Sequence, residues 1–305
     1  MDAVIGPVAP AATGFDYERA FSRNLGLVQP EEQTKLRHSR VAIAGLGGVG
    51  GVHLTTLARM GIGSFHIADF DRFEMQNFNR QAGALMSTLG EEKTTVMEAM
   101  ARDINPDLVL KSFREGITEA NIADFLKGVD VVVDGLDFFA VAARDLLYRE
   151  TYRRDIPVVA AGPIGCSSAY LVFLPGGMRW QDYFAMDLAR NEVDKYILFF
   201  IGNTPAATQS AYIDRRYIKL AEKSGPSLAL GVQLCAGTAA AETMKLLLGR
   251  GRILAAPYYH QYDAYLCKYV VGKLRWGNRG PLQRLKLARL RKVFAGSPLA
   301  TGERE

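Results

Sequence analysis

Cysteine is scarce in this chain. Only Cys166, Cys235 and Cys267 occur among 305 residues, and no two of them form a C-x-x-C pair. An odd number of cysteines without close spacing argues against a disulfide framework and is typical of a reducing compartment. With only four histidines, the chain offers no obvious tetrahedral ligand cluster. We therefore predict neither structural disulfides nor a zinc site.

Long apolar runs are also missing. Residues 196–202 are too few to span a membrane, and residues 226–249 are interrupted by Glu242 and Lys245. The amino-terminal region has neither a basic start nor a continuous apolar core, which are the two marks of a signal peptide. We therefore expect a soluble, cytoplasmic protein with no membrane partner.

Acidic residues are absent from one long stretch. Residues 273–292 contain eight Lys and Arg and no Asp or Glu, and residues 293–305 have a net charge of −1. The overall charge of +5 therefore leaves residues 1–272 at −2, so the basicity belongs to a tail. The leucines of this tail spread around more than half of a helical wheel. We predict a packing extension, with nucleic-acid binding as the alternative.

Short apolar runs alternate with helix-length segments from residue 40 onward. Each run is apolar on both faces and bounded by Gly, Asp or Pro, which is typical of parallel strands covered by helices. We predict an α/β fold: a doubly wound, mostly parallel, Rossmann-like sheet with an N-terminal helical arm and a C-terminal helix-hairpin. The predicted strands are 41–44, 65–68, 107–111, 130–133, 157–160 and 168–174, followed by a helix over 227–248 and a hairpin over 258–262 and 266–271.

Residues 176–225 differ from the rest of the chain. They are rich in Tyr, Arg, Lys and Asp and show little periodicity. A segment of about 50 such residues is longer than an ordinary connection, so we predict a mobile crossover segment, either a functional lid or poorly ordered. The chain then divides into a helical arm (1–38), an α/β domain (39–272) and a basic tail (273–305).

A glycine-rich turn follows the first predicted strand and opens a helix. Its glycines are Gly45, Gly47, Gly48 and Gly50. Glycines allow a tight turn and a close approach to a phosphate, whose charge is met by the helix N-terminus. Asp69, at the end of the next strand, is placed to bind a ribose hydroxyl. Alone, these residues predict a nucleotide site and would also suit an NAD-dependent dehydrogenase.

A second set of residues makes the pattern more specific. It comprises Asp71, Asn77, Arg80, Gln81, Gly90, Lys93, Asp134 and Asp137. Together with the glycine turn, this combination resembles the ThiF/MoeB/HesA superfamily, which includes ubiquitin-activating enzymes, over residues 16–272. The resemblance implies an adenylyltransferase of the ubiquitin-like-modifier-activating type. Such an enzyme joins a carboxylate to the α-phosphate of ATP and releases pyrophosphate.

The charge of that reaction explains the residue types. Both reactants are anions, so fixed cations aimed at the phosphoryl oxygens are the main requirement. Arg80 can hold a phosphate through two hydrogen bonds, while Lys93 supplies a compact charge at a helix start. Asn77 can bind phosphate or ribose. Asp137, at the carboxyl end of a strand, is the expected Mg²⁺ ligand.

The resemblance also bears on the remaining polar residues. Asp69 should hold the ribose. Asp71 joins it in the nucleotide site, although Asp71 and Asp134 also suit strand-end caps. Arg23, in the arm, matches a family arginine that reaches the triphosphate of the partner subunit. We therefore expect a homodimer with shared sites.

Three departures from the family pattern limit what the resemblance implies. The zinc-binding C-x-x-C pairs are missing, residues 176–225 contain no cysteine, and Phe138 replaces the usual Asn after Asp137. An enzyme thioester is therefore not predicted. The acyl substrate stays open between a ubiquitin-like protein C-terminus, a peptide, a small acid and a modified tRNA base. The alternative function is a nucleotide-binding scaffold without turnover.

Overall fold

Eight strands form one sheet in the computed structural model, which describes residues 14–219 and 222–294. The strands are β1 Arg40–Ala44, β2 Ser64–Ala68, β3 Val109–Phe113, β4 Val131–Asp134, β5 Val158–Ile164, β6 Ser167–Phe173, β7 Tyr258–Asp263 and β8 Lys268–Lys273. Their order is β3-β2-β1-β4-β5-β6-β7-β8. The pairings from β3 to β5 are parallel, and those from β5 to β8 are antiparallel.

Helices cover both faces of this sheet. They are α1 Tyr17–Ala20, α2 Pro30–His38, α3 Gly48–Arg59, α4 Lys93–Ile104, α5 Ile122–Phe125, α6 Val141–Arg153, α7 Trp180–Phe184, α8 Glu192–Asn203, α9 Ala229–Leu248 and α10 Pro281–Val293. One core joins α2, α3, α4 and α9 to the sheet, and the other joins α5 to α8. The predicted doubly wound fold is confirmed. None of the helices within 14–219 and 222–294 is long and apolar enough to cross a bilayer.

The register of the central strands positions the site. Ala44, the last residue of β1, is level with Ala68 at the end of β2 and with Asp134 at the end of β4. Every residue of β2 and β4 is buried, since both faces of these strands are covered. The loops that follow β1, β2 and β4 therefore all begin at the carboxyl ends of neighbouring strands, on one side of the sheet.

The crossover segment contains regular, packed structure in its described part (176–219 and 222–225), so the alternative of a poorly ordered segment is wrong there, while the functional lid stays a prediction. Helix α7 carries Trp180, Tyr183 and Phe184, each at most 2% exposed, into the core, and α8 adds Tyr196 and Phe199. Farther along, buried Gln261 donates a hydrogen bond to Thr208 Oγ1 at 2.6 Å. These contacts fasten the segment to the sheet.

The basic tail packs through α10. Leu287 and Gln283 are buried against α8, and the Arg291 guanidinium lies 2.6 Å from the carboxylate of buried Asp194. The described part of the tail is thus the predicted packing extension, while 295–305 lie outside the described residues.

The N-terminal arm packs at the C-terminal end of α3, where Gln33 donates to Met60 O at 3.1 Å. Its residues 1–13 also lie outside the described residues, and the division at 38 and 272 stays a prediction.

Candidate active site

The glycines of this turn are of two kinds. Some are packed so closely against backbone that no side chain would fit, and others face open space. Gly45 has φ +85°, and a Cβ added there would lie 2.3 Å from Gly135 O. A Cβ on Gly50 would lie 1.8 Å from Gly45 O. At Gly47, by contrast, an added Cβ would meet only Gln81 Nε2, at 3.8 Å. The backbone at Gly47, the N-cap of α3, is therefore the open side on which a phosphate could lie.

Asp69 fixes the shape of this turn. Its Oδ2 accepts a 2.6 Å hydrogen bond from the Leu46 N–H, and its Oδ1 accepts one of 2.8 Å from the Asp71 N–H. The two carboxylate oxygens keep further lone pairs, so a ribose hydroxyl could still donate to them. The predicted ribose residue thus also has a structural task that the sequence pattern did not reveal.

Lys93 and Asp71 form an ion pair beside Asp69. The Lys93 ammonium lies 2.9 Å from Asp71 Oδ2, and Lys93 is only 5% exposed although it begins α4. Backbone bonds bring the two together: Lys93 N–H donates to Asp71 O at 3.0 Å, and Phe73 N–H to Glu91 O at 2.9 Å. These bonds therefore place the Lys93 ammonium, paired with the Asp71 carboxylate, next to Asp69 at the carboxyl ends of the parallel strands.

Asn77 and Arg80 lie on the turn that follows. Asn77 is buried, and its side-chain oxygen accepts the Glu74 N–H at 3.0 Å, which leaves its amide nitrogen for another acceptor. Arg80 approaches the glycine turn: its Cδ would lie 3.8 Å from a Cβ added at Gly48. Its Nη1 donates to Gln76 O and Asn79 Oδ1, and its Nε and Nη2 make no hydrogen bond to any described residue. A phosphate could accept from those two groups.

Asp137 lies on the loop after β4. Its side chain is exposed, and its Oδ1 accepts the Phe139 N–H at 2.9 Å, while Oδ2 accepts from no described residue. Within the described ranges, no group of three or more His, Cys, Asp or Glu is arranged to hold a metal. A single free carboxylate oxygen suits Mg²⁺, which keeps several waters and binds mainly through one or two carboxylates and substrate phosphates.

Sequence reasoning missed the buried support of this loop. Asp134 pairs with Arg144, Nε to Oδ2 at 2.7 Å, and accepts the Tyr148 hydroxyl at 3.0 Å. Burial, reinforced by Asp134, raises the pKa of Tyr148 well above its usual value. Asp134 is thus a cap held from α6 rather than a ligand-facing carboxylate. The available signal was an Arg and a Tyr four residues apart on the buried face of that helix.

Two other titratable groups lie under or beside the loops. His53, in α3, is 1% exposed, and neither ring nitrogen has a hydrogen-bond partner among the described residues. Burial lowers the pKa of His53 to about 4, although the charge of Asp134 opposes this. Among the cysteines, Cys235 is buried, and burial raises the pKa of its thiol to about 12. Cys166, in the β5–β6 turn, is partly exposed, and Cys267 is exposed.

Arg23 does not join the other predicted site residues. It lies in a short 3-10 turn, Ser22–Asn24, with an exposed side chain. The neighbouring Asn24 donates to Met60 O at 3.2 Å, just beyond the C-terminus of α3. The glycine turn is at the other end of this 12-residue helix, about 18 Å away at 1.5 Å per residue. Arg23 therefore lies well away from the glycine turn of its own subunit.

The fold, and the site residues at the carboxyl ends of its parallel strands, define a nucleotide-binding α/β protein of the doubly wound class. The ThiF family model matches residues 21–279, so the chain belongs to the ThiF family. It is 36% identical over 142 residues to tRNA threonylcarbamoyladenosine dehydratase of Bacillus subtilis, covering 46% of this chain and 55% of that protein. It is 31% identical over 112 residues to sulfur carrier protein adenylyltransferase of Thermus thermophilus, covering 37% and 41%.

Two solved structures share the fold over more of the chain. PaaA superposes with a TM-score of 0.63 at 15% identity, covering 87% of this chain and 76% of PaaA. Escherichia coli MccB with ATP gives a TM-score of 0.61 at 18% identity, covering 86% and 73%. The chain spans only about half the length of the curated relatives it matches.

Proposed function

We propose that this chain adenylates a carboxylate with ATP and Mg²⁺. The observation that carries the proposal is a grouping around the glycine turn. Arg80 lies beside Gly48, Asp69 links the turn to the Lys93–Asp71 ion pair, and the free carboxylate oxygen of Asp137 lies on the adjoining loop. Fixed cations near an open stretch of backbone are what a reaction between two anions requires. Family membership and the names of the relatives support the same reaction.

Each residue has a defined task in the proposed reaction. The N-terminus of α3 and the Arg80 guanidinium would bind phosphates, Asp69 the ribose, and Asp137 the Mg²⁺ ion. When bound, Mg²⁺ neutralises phosphate charge and orients the leaving group. A carboxylate oxygen attacks the α-phosphorus, the bond to the bridging oxygen of the β-phosphate breaks, and pyrophosphate leaves. Lys93 and Arg80 stabilise the charge that builds on the phosphoryl oxygens.

The acyl-adenylate would then pass directly to an amine, a thiol or a sulfur donor. The proposal assigns no thioester to the enzyme, because Cys235 is buried and the crossover segment contains no cysteine; Cys166, in the β5–β6 turn, is the partly exposed thiol that the Cys→Ser test below includes. The names of the relatives point to carboxylates on carrier proteins and on tRNA. A peptide or a small acid would also supply the carboxylate that the reaction needs.

ATP–pyrophosphate exchange with a panel of carboxylates tests this proposal. Label should enter ATP only with an accepted acid, and calorimetry should show ATP binding that weakens strongly in Lys93→Ala. Tighter binding of NADH than of ATP, unaffected by that change, would instead favour a dehydrogenase. ATP binding without exchange for any carboxyl-bearing class would favour the nucleotide-binding scaffold.

We also propose that the active enzyme is a homodimer in which Arg23 serves the site of the other subunit. The arm is held at the end of α3 opposite the glycine turn, and beside Arg23 it presents exposed Leu25 and Leu27, the latter 81% exposed. Exposed leucines next to a cation suit a subunit interface better than a solvated surface. A cation delivered across a twofold axis would link activity to assembly.

Subunit complementation tests the shared site. Arg23→Ala and Asp137→Ala subunits should each be inactive alone. In a mixed dimer, the site that keeps Asp137 receives an intact Arg23 from its neighbour, so roughly a quarter of all sites should work after free exchange. Mixed dimers that are demonstrated but inactive would show that Arg23 does not act across the interface.

A further inference from the structure

Arg144 contacts three of the four residues of the loop that ends at Asp137. Its Nε lies 2.7 Å from Asp134 Oδ2, and its Nη2 donates to Leu136 O at 2.7 Å and to Asp137 O at 3.2 Å. The guanidinium is almost completely buried. One side chain therefore holds both ends of the four-residue loop, and it does so at the backbone of the predicted metal ligand itself.

The glycine turn confines the same loop from the opposite side. A Cβ added to Gly135 would lie 2.5 Å from Gly45 O and 2.8 Å from Gly50 Cα, so the backbones are in direct contact. The loop cannot shift toward the nucleotide turn, and Arg144 prevents it from shifting away. The position of Asp137 relative to Gly45 and Gly50 is thus set jointly by backbone packing and by one guanidinium.

The crossover segment holds Arg144 in turn. The guanidinium carbon lies 4.3 Å from the centre of the Phe199 ring on α8. Phe138, the residue after Asp137, also contacts Phe199, with ring centres 5.2 Å apart, and Phe139 contacts Tyr196 at 4.9 Å. Helix α8 therefore packs on the Asp137 loop through two ring–ring contacts and on Arg144 through the Phe199 ring.

We propose that Arg144 is a positioning residue for the Mg²⁺ ligand Asp137, and that Phe199 of the crossover segment holds Arg144 in place. The inference rests on the proposed function, since it assigns a role toward the metal of that site. Arg144 itself need not touch ATP: it acts through the backbone of Asp137. The residue at 138 then contributes a ring contact to α8 rather than a polar group to the site.

Two substitutions separate this role from simple stability. Arg144→Lys keeps the charge near Asp134 but cannot reach three acceptors with a planar fork. Phe199→Leu removes the ring beneath the guanidinium, together with the contact of that ring to Phe138, and Phe199 takes part in no hydrogen bond of Arg144. The matched control is Arg149→Lys on the same helix, because Arg149 is more exposed and pairs with Glu119.

The decisive measurement is the Mg²⁺ dependence of ATP binding, followed by calorimetry, with pyrophosphate exchange as a second readout. Supporting residues behind metal ligands typically change metal affinity by about 10–100-fold. We expect Arg144→Lys to need at least about tenfold more Mg²⁺ for half-maximal ATP binding, with Phe199→Leu shifted in the same direction by less. Binding of ATP in EDTA should change little, and Arg149→Lys should match the wild type.

Specific outcomes would overturn the inference. A folded Arg144→Lys protein with the Mg²⁺ requirement of the wild type refutes it. If that variant does not fold, an unchanged Mg²⁺ requirement in folded Phe199→Leu refutes it equally. Failure of the proposed function looks different: the wild type would bind Mg·ATP yet exchange pyrophosphate with no acid, and the metal titration would still test Arg144.

Discussion

Replacing Lys93 by Met should separate catalysis from stability. The Lys93 side chain is 6% exposed and lies 2.9 Å from Asp71, which is 52% exposed. Two charges about 4 Å apart gain about 4 kcal/mol at an effective dielectric constant of about 20. Burying the ammonium costs several kcal/mol, so the two terms nearly cancel. Met is unbranched and similar in length to Lys, so it can fill the same space. Asp71 is exposed enough to be solvated by water once the ammonium is gone. The free energy of unfolding should therefore change by about 1 kcal/mol or less.

The loss in catalysis should be much larger. Removing one fixed electrostatic group from a site where charge develops costs about 10²–10³ in kcat, or about 2.7–4 kcal/mol. Pyrophosphate exchange by Lys93→Met should therefore fall at least about 100-fold, whereas urea denaturation should give a near wild-type midpoint. Lys127→Met, at an exposed lysine away from the site, is the control and should change neither quantity.

A substitution of Asp71, the other partner of the ion pair, makes the test sharper. Asp71→Asn leaves the Lys93 ammonium buried without its counter-charge, and this should destabilise the fold by about 3 kcal/mol, the lower end for breaking a buried pair because Asp71 is half exposed. The reasoning is refuted if Lys93→Met destabilises the protein more than Asp71→Asn does. It is also refuted if folded Lys93→Met exchanges pyrophosphate within about threefold of the wild type.

Four further predictions concern a buried histidine, the cysteines and zinc. Because the pKa of His53 is about 4 when folded and about 6.5 when unfolded, the unfolded chain binds more protons between these values, so stability should fall by about 2 kcal/mol from pH 7 to pH 5. His53→Leu should reduce this loss in urea titrations at the two pH values, and an identical pH dependence would contradict the assignment. In the native protein Cys235 should resist a thiol reagent that modifies Cys267, and equal rates would show that the α9 core opens readily. Elemental analysis should find no stoichiometric zinc, and a triple Cys→Ser variant at 166, 235 and 267 should keep pyrophosphate exchange and full turnover. If exchange survives there but product formation stops, an enzyme thioester is formed after all.

The parallel half of the sheet could be predicted from the sequence because its signals are local. The first five strand predictions fall within about two residues of the observed strands, apart from the extension of β5 to Ile164. The end of α9 at Gly249, whose φ is +70°, follows the usual glycine cap. The site residues near Gly45 and Asp69 are likewise adjacent because parallel strands end at a common edge.

The crossover segment could not be predicted because its order comes from distant residues. Helix α8 has apolar residues nearly all around it, since one side faces the sheet core and another faces α10, so no single periodic stripe is visible. Its buried Asp194 is neutralised by Arg291, 97 residues later. The contacts of Arg144 with Leu136 O and Asp137 O could not be predicted for a related reason. The spacing of Arg144 and Tyr148 indicates a shared helix face, but it does not indicate which backbone carbonyls the arginine will contact.

The packing of α10 has a consequence for the handling of this protein. Although its sequence looks like a charged appendage, α10 shields apolar side chains of α8 from water, among them Ile197, Leu198 and Ile201. A chain cut before Pro281 would present that surface to solvent, where it would favour self-association. Removing the most basic part of the sequence should therefore make the protein less soluble. Light scattering of the shortened chain would show larger particles.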